Sequence, residues 1–472
     1  MPPWGSRGAG MLRRGLYVAS LDERLIPFLE TLYRGLSVAG ASYRVSCRGG
    51  RCTAAIEGAE PRLLEAVLEA PGLVVGECSL STGCPEPGGI LPPPPAPVPP
   101  RPRGLPRRGF RLGVAGPRGV EARLDPETLK RHLAVVGSTG AGKSHTAARI
   151  AACSARTGYA VYVIDWHGEY RGLLSSLGVE AREETPPAPM AGGGLSLEDS
   201  ISIAEEVLDL SPQQALLLTA LLAAKMLDEA EAVRALSSIY SETTAAAAPA
   251  RGSIERIAAI IRDAADAHDL FRAALEAYRL RMSQAPPKGE TEVWAALLRR
   301  LGMIGLDPST GRYFTLEPQG QTEPRPGTVT IIAAHRVPGG TRRKLYTLYT
   351  IAAIHIAAAR TGTPTLIVVD EAHNIARTRT LEHILSDARK MNTAITLVLH
   401  TPRLLTPQAA ANINTWIIHR VTSRDDIRAL EAVLPSDYAE LLPRLPQGAA
   451  VYTTPEAQEP AVLRVYGAAA PC

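Results

Sequence analysis

Residues 137–144 read Gly-Ser-Thr-Gly-Ala-Gly-Lys-Ser, a complete G-x-x-x-x-G-K-[ST] loop set between two segments of the right kind. Upstream, His132-Leu133-Ala134-Val135-Val136 has the composition of a short strand. Downstream, Ser144 to Arg156 is rich in Ala, lacks Pro and Gly, and reads as a helix. Strand, loop and helix together aim backbone N–H groups and the positive end of a helix dipole at one point. The glycines let the backbone curl there without a Cβ clash. Gly137, Ser138, Thr139, Gly140, Ala141, Gly142, Lys143 and Ser144, with His145 just inside the helix, therefore form the predicted cradle for a polyphosphate. Lys143 is expected to reach the β- and γ-phosphates as a point charge, and the Ser144 hydroxyl to face Mg²⁺. ATP with Mg²⁺ is the expected ligand pair.

A second site completes the chemistry. Leu366-Ile367-Val368-Val369-Asp370-Glu371 is an apolar run ending in two acids, suited to a central parallel strand covered on both faces. At the carboxyl end of such a strand Asp370 is expected to hold the metal, and Glu371 to polarise the attacking water. Asp370 could also cap the helix that follows. Hydrolysis is thus the expected outcome.

Val161-Tyr162-Val163-Ile164-Asp165-Trp166-His167-Gly168-Glu169-Tyr170 is a third strand that ends in an acid and a polar turn. Asp-x-His-Gly-Glu-Tyr at this point, with Asp-Glu-Ala-His-Asn after the later strand, resembles the HerA family of hexameric DNA translocases, relatives of FtsK-type pumps and conjugation ATPases. The resemblance covers about residues 108–170 and 325–455. Arg131-His132, Ala388-Arg389-Lys390 and Ile417-Ile418-His419-Arg420-Val421-Thr422 also fit it. Three departures stand out. Trp166 replaces the usual Pro while leaving Asp165 and Glu169 in place. His400-Thr401 follows the strand Ile395–Leu399 where the family carries Ser-Gln, so the γ-phosphate contact is weakened or remade. The amino end does not read as the family's small β-barrel.

The resemblance implies a ring, probed by an arginine from a neighbouring subunit that neutralises charge building on the γ-phosphate. Arg420 matches that arginine, on the edge of a late strand, and Arg389 is the second candidate. Arg377 and Arg379, after the second acid pair, are candidates for contact with DNA in a central channel. The implied protein is an ATPase, a double-stranded DNA translocase or helicase, working as a homo-hexamer in DNA end processing with a nuclease partner. A conjugation-type or FtsK-like pump is one alternative. A slow nucleotide switch that recruits partners without translocating is another.

Bulk properties agree with a cytoplasmic enzyme. At 472 residues the chain suffices for two or three domains. Its longest apolar stretches, such as Leu348 to Ala359, fall short of a membrane span, and no secretion signal is evident. A net charge of +4 neither demands nor excludes nucleic acid, because a motor can confine its basic groups to a pore.

The fold expected is α/β: a RecA-like P-loop ATPase core with a helical insertion, plus a small N-terminal α+β domain. Residues 1–84 form that domain, with strands Leu16–Ser20, Tyr43–Cys47, Cys52–Ile56 and Leu73–Cys78 in β-α-β-β-α-β order. Residues 85–107 are a Pro-rich tether. The core runs over 108–195 and 306–472, interrupted at 196–305 by helices expected at Ala215–Ala230, Arg251–Ala265, Leu270–Met282 and Glu290–Gly302. Ser196-Leu197-Glu198-Asp199 resembles a capping box. Cys47, Cys52, Cys78 and Cys84 are read first as free thiols, then as a disulfide, and last as zinc ligands, since their spacings miss common structural sites. His373 is expected to be a turn residue and not a ligand.

Overall fold

The computed structural model describes residues 104–472, apart from 116–119, 229, 235–236, 238–250, 284–285, 287, 318–322 and 468–469, together with the backbones of four earlier strands. The chain divides into two compact units, Met1–Pro102 with Val114–Glu121, and Arg103–Gly113 with Ala122–Cys472.

In the first unit the strands are β1 (Arg14–Ser20), β2 (Ser42–Arg48), β3 (Arg51–Glu57) and β4 (Leu73–Ser79). β1 pairs antiparallel with β4, and β2 with β3, which sets Cys47 opposite Cys52. The helices expected between these strands, the tether up to residue 103 and the cysteine side chains lie outside the described residues.

The second unit is built on one large sheet. Its strands in chain order are β5 (Phe110–Ala115), β6 (Val120–Leu124), β7 (Leu133–Val136), β8 (Ala160–Ile164) and β9 (Ala181–Glu184), then, after the short parallel pair β10 (Ala188–Pro189) and β11 (Phe314–Thr315), β12 (Val329–Ile332), β13 (Thr365–Val369), β14 (Thr393–Leu399), β15 (Thr415–Ile418), β16 (Ala449–Thr453) and β17 (Ala461–Val465). The order across its eleven strands is β6-β5-β17-β16-β15-β7-β14-β13-β8-β12-β9, and pairing is parallel from β15 through β9. β16 and β17 continue it antiparallel. Every residue of β7, β8, β13 and β14 is buried, which is why these strands read as unbroken apolar runs and not as alternating ones.

β14 lies between β7 and β13. The strand feeding the phosphate loop and the strand ending in Asp370-Glu371 are therefore not neighbours. All three carboxyl ends open on one edge of the sheet, where ligands of α/β folds bind.

The helices Lys143–Arg156 and Gly340–Thr361 pack on the sheet. The expected helical stretch contains Leu197–Leu208, Pro212–Met226, Arg251–Arg262, Ala267–Met282 and Lys288–Gly305. Ser196 caps its first helix through the Asp199 N–H alone, whereas the reciprocal box sits one helix later, at Ser211 and Gln214. Inside this stretch a buried Arg281–Glu290 pair joins two helices through bonds of 2.6 and 2.8 Å. No helix among the described residues is long and apolar enough to cross a membrane.

One contact was not legible in the sequence. Cys153, buried on the helix Lys143–Arg156, forms a disulfide with Cys472. One turn earlier, fully buried Arg149 donates to the carbonyls of Arg111, Ala470 and Pro471 at 2.7–3.0 Å. Its guanidinium also lies 5.3 Å from the centre of the Tyr466 ring. The last described residues are thus fixed along the flank of the phosphate-loop helix.

Candidate active site

β7 runs directly into the glycine loop. Gly137 N–H donates to the Leu399 carbonyl at 3.2 Å and Ser138 N–H to the Arg420 carbonyl at 2.7 Å, so the base of the loop is tied to the ends of β14 and β15. Gly140 and Gly142 have φ of +73° and +111°, values that side chains rarely adopt. Gly142 opens the helix Lys143–Arg156 with no side-chain cap. Among the described residues the amides of Thr139, Gly140 and Gly142 meet no backbone acceptor, and the first-turn amides of a helix have no intrahelical partner. This is a concave row of free donors, suited to phosphate.

Behind the loop, buried His419 braces the helix. Its Nδ1 lies 2.9 Å from the Ala449 carbonyl and its Nε2 2.9 Å from the Thr146 hydroxyl. Burial pulls its pKa down to about 4, helped by Lys143 and His145.

Lys143 is buried, and its ammonium donates to the Ser138 carbonyl at 3.1 Å and to His400 Nδ1 at 3.0 Å. Burial lowers its pKa to about 8, against the pull of Glu371, Asp370 and Glu169. Ser144 is half-buried in the first turn, next to His145, whose pKa burial lowers.

Asp370 is buried at the end of β13, and its pKa is pushed up to about 6 by burial and by neighbouring Glu371. Glu371 takes a left-handed backbone with φ +49°. Three imidazoles surround its carboxylate. His400 Nε2 lies 2.9 Å from Oε1, His373 Nδ1 2.9 Å from Oε2, and His167 Nδ1 3.6 Å from Oε1. Burial would raise the Glu371 pKa, but His373 and His400 overcome it and hold the carboxyl well below the usual carboxylate range. His373, expected as a bare turn residue, therefore touches the site, and His167 reaches Asp370 at 3.3 Å. The Asp-Glu-Ala-His-Asn and Asp-x-His-Gly signals contained both histidines.

Asp165 has a different part from a metal ligand. Its buried carboxylate accepts the N–H groups of His167, Gly168 and Tyr170 at 3.0, 2.7 and 3.1 Å. It organises the turn that presents His167. Trp166 is buried within that turn under the Arg343 guanidinium, while Glu169 is exposed.

Arg420 lies two residues beyond β15, which sits inside the sheet between β7 and β16. Arg389 opens the short turn Arg389–Met391, and its side chain lies outside the described atoms. Arg377 and Arg379 are exposed, and the Arg379 amide is held by the Glu206 carboxylate at 2.6 Å.

His167, Asp370 and Glu371 can bring their donor atoms within 4.8 Å of one another. Carboxylate oxygens beside a hydroxyl-bearing loop suit a hard divalent cation, and a cation would offset the cost of the buried Asp370 charge. The residues present therefore fit Mg²⁺.

Fold and site together define a P-loop ATPase, with a lysine-bearing anion loop and an acid pair at the carboxyl edge of one parallel sheet. Residues 110–333 match the family model described as helicase HerA, central domain. The DNA double-strand break repair helicase HerA of Saccharolobus solfataricus is 38% identical over 61 residues, 13% of this chain and 12% of that protein. The same-named protein of Sulfolobus acidocaldarius is 37% identical over 60 residues, again 12% of its length. The match thus spans only about an eighth of these curated relatives. Among solved structures, VirB4 of Thermoanaerobacter pseudethanolicus superposes with a TM-score of 0.55 at 15% identity, over 77% of this chain and 98% of that one. The plasmid coupling protein TrwB, in complex with a non-hydrolysable GTP analogue, gives 0.54 at 13% identity, over 77% and 90%. These likenesses establish the fold.

Proposed function

We propose that the chain is an ATP-driven double-stranded DNA translocase of the HerA type, acting in the cytoplasm as a homo-hexameric ring in DNA end processing with a nuclease partner. The observation that carries this reading is the meeting of Lys143, Asp370 and Glu371 at one sheet edge inside a HerA-type core. The loop amides and Lys143 bind and orient the triphosphate, while Glu371 takes the proton of the attacking water. Ser144 and Asp370 would hold Mg²⁺, which supplies charge neutralisation on the phosphates when bound. Arg420 of an adjoining subunit stabilises the charge developing on the γ-phosphate, with Arg389 as its alternative. Arg377 and Arg379 contact the DNA backbone. In this reading residues 1–84 are an accessory domain, 85–107 a tether, 108–195 and 306–472 the motor, and 196–305 its helical insertion.

The likeness to VirB4 and TrwB over 77% of the chain favours one further reading, a conjugation-type or FtsK-like DNA pump. ATPase assays on size-fractionated protein, with and without duplex DNA, test the proposal. Hydrolysis by the ring that rises with duplex DNA supports it. Hydrolysis indifferent to DNA would identify a slow nucleotide switch instead.

A further inference from the structure

Among the described residues, His400 is the side chain that bridges the phosphate-loop lysine and the acid pair. β14 runs between β7 and β13, so the residue leaving its carboxyl end emerges between the phosphate loop and the acid pair. There one imidazole spans both, with Nδ1 3.0 Å from Lys143 Nζ and Nε2 2.9 Å from Glu371 Oε1. Donor accounting fixes its state. An ammonium can only donate, so Nδ1 must accept, and the neutral ring then carries its proton on Nε2. An ionised carboxylate can only accept, so Nε2–H donates to Glu371. The His373 ring packs edge-on against His400, at 6.0 Å between centroids and 82° between planes.

We propose that His400 is a positioning residue that couples occupancy of the triphosphate loop to the catalytic carboxylate. It rests on the assignment of Glu371 as the base and not on DNA translocation. In this structure the lysine that should hold phosphate is engaged by His400 and the Ser138 carbonyl, and the same imidazole contacts a Glu371 oxygen. A triphosphate competes for the ammonium far better than a neutral imidazole does. Once Lys143 turns to phosphate, Nδ1 loses its donor and the ring is tethered only through Glu371. His400 then orients that carboxylate for the water. No bond is made or broken at His400, and the proton of the water goes to Glu371.

An amide can replace both ring functions, with Oε1 accepting from Lys143 and the NH₂ group donating to Glu371. The test compares His400→Ala, His400→Leu and His400→Gln in steady-state ATPase assays without DNA. Calorimetry with a non-hydrolysable ATP analogue and thermal melting accompany the assays. For Ala and Leu, kcat should fall about 10-fold or more, the order of losing one oriented donor, while KM and analogue affinity are unchanged or improved. For Gln, kcat should return to within about 3-fold of wild type. Turnover within about 2-fold of wild type in both Ala and Leu, or a Gln variant as impaired as they are, overturns the coupling. So does a loss of analogue affinity matching the loss of kcat in Ala and Leu. Glu371→Gln in the same series separates the premises. If it hydrolyses ATP normally, the base assignment fails and the coupling falls with it. If it is inactive while His400→Ala is normal, only the coupling fails.

Discussion

The Thr146 hydroxyl, on the first turn of the phosphate-loop helix, lies 2.9 Å from Nε2 of His419, on the strand-end loop behind it. His419 Nδ1 faces the Ala449 carbonyl, which only accepts, so Nδ1 carries a proton; burial keeps the ring neutral, and Nε2 then accepts from Thr146. The folded pKa is about 4, below the unfolded value of about 6.5, so between those limits the unfolded chain binds the extra proton. Stability contributed by neutral His419 is present above about pH 6.5 and is lost as pH falls toward 4. Acidification from pH 7 to pH 5 should cost about 2 kcal/mol through this residue. Melting curves of wild type and His419→Gln at both pH values check it. An equal acid penalty in the two proteins would refute the assignment.

Arg420 is expected to act across a subunit boundary. Arg420→Ala and Glu371→Gln should each be inactive alone, yet mixed rings should regain part of the activity, because some interfaces join an intact acid to an intact arginine. ATPase assays on rings shown to be mixed decide this. Persistent inactivity would mean that both residues serve one site in the same subunit, a geometry that the Ser138–Arg420 backbone bond makes close at hand.

Asp165 and Glu169 stand in one motif with opposite expected effects. Asp165→Ala leaves three turn amides without their acceptor and should cost about 2–4 kcal/mol of stability. Glu169→Ala, at an exposed position, should change stability by less than about 0.5 kcal/mol. Chemical denaturation of the two variants measures both.

Reduction of the Cys153–Cys472 bond should lower the melting temperature, since the bond closes a loop of 319 residues. The chain-entropy account sets the loss at up to about 6 kcal/mol. Calorimetry with and without a reductant tests this, with Cys472→Ser as the control that should no longer respond.

The ATPase core was legible because its strands are buried on both faces and its loop chemistry is local. β16 and β17 fall where the apolar runs at Ala449–Thr453 and Ala461–Val465 placed them, and β13 begins one residue before Leu366. The site was legible as residue types but not as contacts. Nothing local in the sequence says that β14 inserts between β7 and β13, and that insertion is what brings His400 to Lys143. The part of Asp165 was hidden for a related reason, since an acid after a strand looks the same whether it meets a metal or three amides. The Cys153–Cys472 pair has no local signature, because a separation of 319 residues leaves no spacing to read.

The buried Arg149 has a mechanical consequence. Its guanidinium grips the backbone at both Arg111 and Pro471, so the helix that begins at the nucleotide is riveted along its flank to two segments remote from it in the chain. Force applied to either segment is carried straight into that helix by a cation that cannot be drawn out without exposing unpaired carbonyls. A displacement of either segment must therefore break these bonds or carry the phosphate-loop helix with it, as a lever carries its fulcrum pin.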